Sequence, residues 1–446
     1  MSRVIPVGER DTAFGFVNWS ATCGPTRGRG HDRRKTSETD VTNTTFLTRV
    51  VLKNYKSIAA CDVRLQPLVF LVGPNGSGKS NFLDALRLLN ESLNTSLDHA
   101  LRDRGGINEV RRRSGGHPTH FSVLLEFQLA DGTIGTYSFR VGSREQGGYE
   151  VQSEECRIRP PRALATDIHY QVRDGQVVQT SLKIAPATAK DRLYLVNVSG
   201  LPEFRPVYDA LSHMAFYNLN PDRIRDLQAP DAGEVLQRDG SNLASVLGHL
   251  QQHSATVKNR VEEFLAAVVP GVVGVEAKQV GPKETLEFRQ HVGVNQPPWR
   301  FFAANMSDGT LRALGVLVAL LQTSNGAPNR VPLVAIEEPE IALHPAAAGV
   351  LRDCLRAASQ TTQVIVTSHS PDLLDDREIP DNQILPVVSE QGVTKIAPVD
   401  EAGRTAIREH LYTPGELLRL NQLTPDPEAV AVADRYQPSL FDEVLH

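Results

Sequence analysis

The sequence predicts an α/β fold in which a parallel sheet carries its chemistry at one edge, and three apolar runs predict it. LVFLV (68–72) is apolar on both faces, as a central parallel strand should be, and leads straight into GPNGSGKS. PLVAI (332–336) and QVIVTS (363–368) have the same character; the first ends in paired acids and the second at His369. A charge at the end of a core strand is expensive unless a cation meets it. Glu337, Glu338 and Glu340 in VAIEEPEIALHP therefore need a partner from elsewhere in the chain.

Taken in order, residues 1–44 are rich in Gly, Thr, Ser and Arg without periodicity, and are expected to be a disordered tail. Order begins with the strand-like FLTRVVLKNYKSI (46–58), CDVRL (61–65) and the LVFLV run. From Asn81, NFLDALRLLN sets Phe82, Leu86 and Leu89 on one helical face. HFSVLLEFQL, GTIGTYSFRVG, YEVQSEECRI and DIHYQV then read as an antiparallel meander, which closes an N-terminal lobe at 45–200. Residues 201–300 are expected to be a mostly helical insertion, from EFRPVYDALSHM, NLASVLGHLQQH and ATVKNRVEEFLAAVV. A C-terminal lobe at 301–400 holds the helix DGTLRALGVLVALL, the strand PLVAI, the helix AAGVLRDCLRAA, the strand QVIVTS and a hairpin. Residues 401–446 should add one helix and an acidic tail.

Bulk properties exclude some classes. At 446 residues the chain exceeds one simple core, so one elaborated domain or two lobes is expected. Hydrophobic residues at 40% and charged residues at 22% are ordinary for a globular protein. A net charge of -5 decides nothing about nucleic acid, because a basic patch can hide in a near-neutral total. Cys23, Cys61, Cys156 and Cys354 lie far apart with no C-x-x-C, which points away from zinc and disulfides and suits a reducing cytoplasm. No apolar run approaches the roughly 20 residues of a membrane span; LAAVVPGVVGV is broken by Pro270 and Gly271. A soluble, cytoplasmic protein without a membrane partner is expected.

GPNGSGKS (73–80) satisfies G-x-x-x-x-G-K-[ST] between an apolar strand and an amphipathic helix, the context of a P-loop. Gly73, Pro74, Asn75, Gly76, Ser77 and Gly78 would turn backbone N–H groups toward phosphate, and Asn81 continues the helix N-terminus behind them. Lys79 would neutralise the outer phosphates, and Ser80 would hold Mg²⁺. A P-loop needs a second strand ending in acids beside that metal. PLVAI supplies it: Glu337 is placed on the metal's water shell, and Glu338 is placed to polarise the attacking water. On its own, an acid pair at a helix N-terminus would be the simpler reading, since the helix dipole also favours it. His369 closes its strand on the ligand edge of the sheet. Ser307 or Asp308 caps a helix at NMSDGTLRAL, a helix start by itself.

Together these stretches resemble the ABC-class P-loop ATPases of the RecF, SMC and OLD-like group, particularly the stand-alone bacterial predicted AAA-family ATPases. The matching residues are LKNYKSI (52–58), GPNGSGKSNFLDAL (73–86), NPDRIRD (220–226), DGSNLASVL (239–247), MSDGTLR (306–312), EEPEIALHP (337–345), TSHSPDLLD (367–375) and YTPGEL (412–417). The resemblance implies a P-loop NTPase of ABC-ATPase type, with a helical insertion between the P-loop and the signature helix, and ATP and Mg²⁺ as cofactors. It makes Glu338 and His369 catalytic. It implies a homodimer, because Ser307 and Gly309 would stand as a signature that binds the γ-phosphate held by a second subunit, with IALHP as the D-loop. Glu337 departs from the Asp usual at its position. A Q-loop glutamine is missing from RDRGGINEVRRRSGG, where Asn108 is the nearest substitute.

The engine is thus clearer than its load. DNA is one partner, as RecF implies, and Arg102, Arg104, Arg111, Arg112 and Arg113 form a cluster that could meet phosphates. An effector protein, gated by the ATPase in a phage-defence or toxin-like module, is the other. A transporter motor is disfavoured by the β-rich insertion and SDGT in place of a Gly-Gly signature. SMC-like tethering lacks its coiled coil. A nuclease domain of the OLD type is not expected after His369, where no strand-end glutamate is followed by D-x-D.

Overall fold

The computed structural model describes residues 45–435, apart from 114–117, 162–165, 294–295 and 323–330. The expected N-terminal tail and the acidic end of the chain (436–446) lie outside the described residues.

The chain opens with β1 (Leu47–Tyr55), β2 (Ile58–Arg64) and β3 (Leu68–Val72). The meander follows as β4 (His120–Gln128), β5 (Ile134–Ser143), β6 (Tyr149–Arg159), β7 (Ile168–Arg173) and β8 (Gln176–Thr180). Then come the short β9 (Ala215–Tyr217) and a trio, β10 (Val272–Val280), β11 (Lys283–Gln290) and β12 (Trp299–Phe302). The last four are β13 (Leu333–Glu337), β14 (Gln363–Ser368), β15 (Ile384–Glu390) and β16 (Val393–Ile396).

Among the described residues, thirteen strands form one sheet in the order β8-β7-β6-β5-β4-β1-β2-β16-β15-β3-β14-β13-β9. The segment β15-β3-β14-β13-β9 is parallel, and the hairpin β15–β16 joins it to the antiparallel meander. The double-faced apolar runs have a direct explanation. Val69 and Leu71 of β3 point into one hydrophobic core, while Leu68, Phe70 and Val72 point into the other. Leu333 and Ala335 of β13 are divided in the same way from Val334 and Ile336. With both faces buried, neither strand could alternate apolar with polar residues.

The segment 201–300 departs from the mostly helical expectation. Helices occupy Arg205–Ser212, Leu243–His253 and Ala255–Val268, but the chain leaves the helix at Pro270–Gly271, where Gly271 has φ 88°. It then forms β10-β11-β12, a separate antiparallel sheet that buries Val275, Leu286 and Phe288 in the second core. β9 also falls in this segment, and three residues are too few to show a period. No helix among the described residues is long and apolar enough to cross a membrane.

Candidate functional site

The P-loop leaves β3 and enters the helix Lys79–Asn94 through Gly78, whose φ is 104°. A side chain at Gly78 would also collide with Thr394, which donates to Ser77 O at 2.8 Å, so glycine is required twice over. Gly78 offers no side-chain cap, and the helix's first N–H groups are left for an anion. Lys79 is buried, 5% exposed, with Nζ donating to Gly73 O at 2.7 Å and Pro74 O at 3.0 Å. Burial lowers its pKa, opposed by Glu338 and Glu340. Ser77 Oγ is buried without a partner, and Asn75, Gly76 and Ser80 are exposed at the loop's mouth. Asn81 Nδ2 donates to Ser57 Oγ at 2.7 Å, and Ser57 Oγ meets Thr394 Oγ1 at 2.7 Å. The KNYKSI turn is therefore a brace for the phosphate loop.

The acids stand two strands away. Glu337 ends β13, and Glu338 follows with φ 46°, a left-handed backbone that an ordinary residue adopts only at a cost. That turn lets Glu338 N donate to Thr367 O at 3.0 Å across the neighbouring strand. Glu338 Oε1 lies 3.3 Å from His369 Nδ1 and 4.0 Å from Lys79 Nζ. Glu340 accepts from Ser368 Oγ at 2.5 Å and His369 N at 3.4 Å, and burial pushes its pKa up. The following helix starts only at Ala348, after a turn and a short 3-10 segment at Pro345–Ala347. Glu337 and Glu338 are therefore well outside the first turn, and the helix-dipole reading of the acid pair does not hold.

Two arginines that sequence reasoning missed stand beside these acids, Arg312 at their backbone carbonyls and Arg238 at a carboxylate. Arg312 sits in the apolar helix Asp308–Leu321, and its guanidinium donates to Leu219 O at 2.8 Å, Glu338 O at 3.1 Å and Glu337 O at 3.2 Å. Burial lowers its pKa, while Glu340, Glu338 and Glu337 oppose that. A lone charge inside LRALGVLVALL was itself a signal, since buried arginine requires partners. Arg238 Nη2 lies 3.3 Å from Glu337 Oε1, and nothing in the pattern around RDGSN announces it.

Ser307 caps the Asp308–Leu321 helix: its Oγ accepts from Thr310 N at 3.3 Å, and the residue is exposed. Asp308 pairs with Arg225 of NPDRIRD. A side chain at Gly309 would collide with Ala342 O, so this glycine lets the helix pack on IALHP of its own chain. Asn108 lies in the short helix Ile107–Val110, with its Oδ1 accepting from Arg111 Nε at 3.0 Å. The strand beside β13 is β9, and just past it the exposed Asn218 lines one cleft with Arg238 and Arg312.

The arginine cluster divides: Arg104 is buried, whereas Arg102 and Arg113 are exposed and each pairs with the acid four residues before it. Arg104 is 4% exposed and pairs with Asp84 at 3.0 Å and Glu91 at 2.5 Å. Arg102 pairs with Asp98 at 2.8 Å, Arg113 with Glu109, and Arg111 Nη1 donates to Pro118 O at 2.7 Å.

Ser80, Asn81, Arg238 and Glu337 line one cleft beside the P-loop. Its donors are a hydroxyl and a carboxylate, which fit a hard cation. Among the described residues no group of three or more His, Cys, Asp or Glu could hold a metal by itself.

The family described as "AAA domain, putative AbiEii toxin, Type IV TA system" matches residues 68–168 and 189–375. The Old nuclease of Escherichia phage P2 is 23% identical over 363 residues, 74% of this chain and 57% of that protein. The DNA replication and repair protein RecF of Vibrio vulnificus (strain YJ016) is 48% identical over 44 residues, 10% of this chain and 12% of that protein. The chain thus spans little more than half of the one and a small part of the other. The crystal structure of the SmcHead bound to the C-winged helix domain of ScpA shares the fold at TM-score 0.53 and 14% identity, covering 80% of this chain and 99% of that chain. With the family match running over more than half of its residues, the chain belongs to that AAA-domain family, within the RecF/SMC/OLD-like group of ABC-class P-loop ATPases.

Proposed function

We propose that the protein hydrolyses ATP with Mg²⁺, closes as a homodimer around the nucleotide, and acts as a conformational switch in DNA repair or another DNA-related process. The placement of Glu338, 3.3 Å from His369 and 4.0 Å from Lys79 at the ligand edge of a parallel sheet, carries this reading. In it, Lys79 and the loop at 73–81, through its backbone N–H groups (Pro74 has none), bind the phosphates, and Ser80 and Glu337 face Mg²⁺. Glu338 takes the proton of the attacking water as the terminal phosphate leaves ADP, and His369 keeps that carboxylate oriented. Ser307 and Gly309 of a second subunit complete the phosphate cradle. The similarity to RecF, a DNA replication and repair protein, supports the DNA-related part.

A second reading, an ATPase that gates an effector protein, is favoured by the internal pairing of Arg102, Arg104 and Arg113. Exposed Leu411, Tyr412 and Leu420 also flank the helix Pro414–Arg419, which ties to the segment after His369 through Thr413–Asp375 and Arg419–Asp372. A cytoplasmic location accords with buried, free Cys61, Cys156 and Cys354.

Phosphate release from ATP by the purified protein tests the first reading. Release should require Mg²⁺ and vanish in Lys79→Ala; equal release by wild type and Lys79→Ala would overturn it.

A further inference from the structure

Arg238 is anchored as part of the ligand edge. Asn218 N, just past β9, donates to Arg238 O at 3.0 Å, and Asn220 N donates to Asp239 O at 3.1 Å. A turn closes behind the arginine, with Gly240 N donating to Gln237 O at 3.0 Å and Gln237 N donating to Asn242 Oδ1 at 2.8 Å. Gly240 has φ 81° and packs against Ile224, so the turn has little room to shift. Asp239 faces Arg223 instead of its neighbour, at 3.9 Å. Among the described residues, Glu337 is the one carboxylate within ion-pair distance of Arg238, and Arg238 is the one cation within that distance of Glu337.

The pair engages the carboxylate that the P-loop reading gives to the metal. Glu337 lines the cleft with Ser80, and the Arg238 guanidinium holds its Oε1 at 3.3 Å. Arginine keeps its charge at any physiological pH, so deprotonation cannot release the carboxylate; another cation must displace it.

We propose that Arg238 is a positioning residue for the metal: it holds Glu337 while no metal is bound and yields the carboxylate to hydrated Mg²⁺ when Mg²⁺ and ATP enter together. The site then resists Mg²⁺ alone and accepts it with nucleotide. This rests on the P-loop reading above. The pair is half exposed, 46% at Arg238 and 22% at Glu337. Its loss should therefore change metal coupling by about two- to five-fold.

The test is binding, not turnover. The affinity of a fluorescent, non-hydrolysable ATP analogue is measured with saturating Mg²⁺ and again with EDTA, and the ratio of the two is the metal coupling. Arg238→Ala should raise that ratio about two- to five-fold, because Mg²⁺ no longer competes with an internal cation. Arg238→Lys, which keeps the charge, should stay near wild type, and thermal unfolding checks that both variants are folded. An unchanged ratio in Arg238→Ala overturns the proposal, since the arginine would then be acting on nucleotide alone or on nothing. A lower ratio also overturns it, since the arginine would then be holding Glu337 in place for the metal throughout. Failure of wild type to bind the analogue at all would instead remove the nucleotide-site reading on which the proposal rests.

Discussion

Glu338 Oε1 and His369 Nδ1 stand 3.3 Å apart, and that ring nitrogen is buried with no hydrogen bond of its own. The contact is one of position, held by two backbone features. The left-handed turn at Glu338 swings its chain toward Thr367, and Glu340 fixes the His369 backbone. Glu338→Gln should keep ATP binding and lower turnover by about 10²- to 10⁴-fold, the usual range for a lost general base. Nucleotide fluorescence beside phosphate release checks this. Equal loss of binding and turnover would assign Glu338 to binding instead.

Asp84, at the edge of the cleft that Ser80 and Glu337 line, predicts a stability effect. Its carboxylate accepts from Tyr55 at 2.8 Å and pairs with Lys56 and Arg87 at 2.5 Å and with Arg104 at 3.0 Å. Burial would raise its pKa, but Arg104 and Lys56 outweigh that and hold it well below the usual carboxylate range. A depressed folded value contributes stability that is present above the unfolded value of 3.8 and lost as pH falls below it. Asp84→Asn strands a buried guanidinium and should destabilise by about 3 kcal/mol near neutrality. Urea midpoints at pH 7 should show the full gap, and at pH 3 a smaller one.

Sequence legibility followed the number of residues that carried each signal. β3, β13 and β14 were readable because each is a five- or six-residue run buried on both faces and ending in chemistry. β9 was not, because AFY is three residues long, and with it went the neighbour of β13 and the place of Asn218. Arg238 was invisible for a different reason. It is 21 residues past Tyr217 in the chain, and only the backbone pairing with Asn218 and Asn220 brings it to the acid strand. The pairing inside the arginine cluster was not legible, because Asp84, Asp98, Glu91 and Glu109 are separated from their partners by a turn of helix or a fold contact that composition does not show.

The DNA reading can be tested by salt. Each phosphate contact changes the slope of log affinity against log salt by roughly 0.9. Arg111 and Arg113 are engaged within the chain, whereas Arg112 makes no side-chain ion pair among the described residues. Reversing all three to Glu should change the slope by about one unit instead of about three. Duplex binding assayed by anisotropy from low to physiological salt measures it. A change near three would restore the cluster as a contact surface, and no binding at low salt, with or without ATP, would favour the effector reading.

Dimer closure is the prediction with the sharpest mixing test. Ser307 is exposed and caps its helix, while Gly309 is committed to Ala342 O in the same chain. Ser307 is therefore the residue to change, since a side chain at Gly309 would disturb the monomer first. Ser307→Arg loses a cap worth about 1 kcal/mol and fills the position that a partner's γ-phosphate would take. It should bind ATP as a monomer and fail to close, and Glu338→Gln should accumulate as an ATP-bound dimer on light scattering. Lys79→Ala fails for the opposite reason: it cannot bind nucleotide, but its signature helix is intact. In a mixture of Ser307→Arg with Lys79→Ala, the P-loop of the first and the signature of the second form one complete site. Turnover should reappear in the mixture although each variant alone is silent. If the mixture stays silent while wild type turns over as a monomer, each chain works with its own residues alone, and the exposed Ser307 is a helix cap and nothing more.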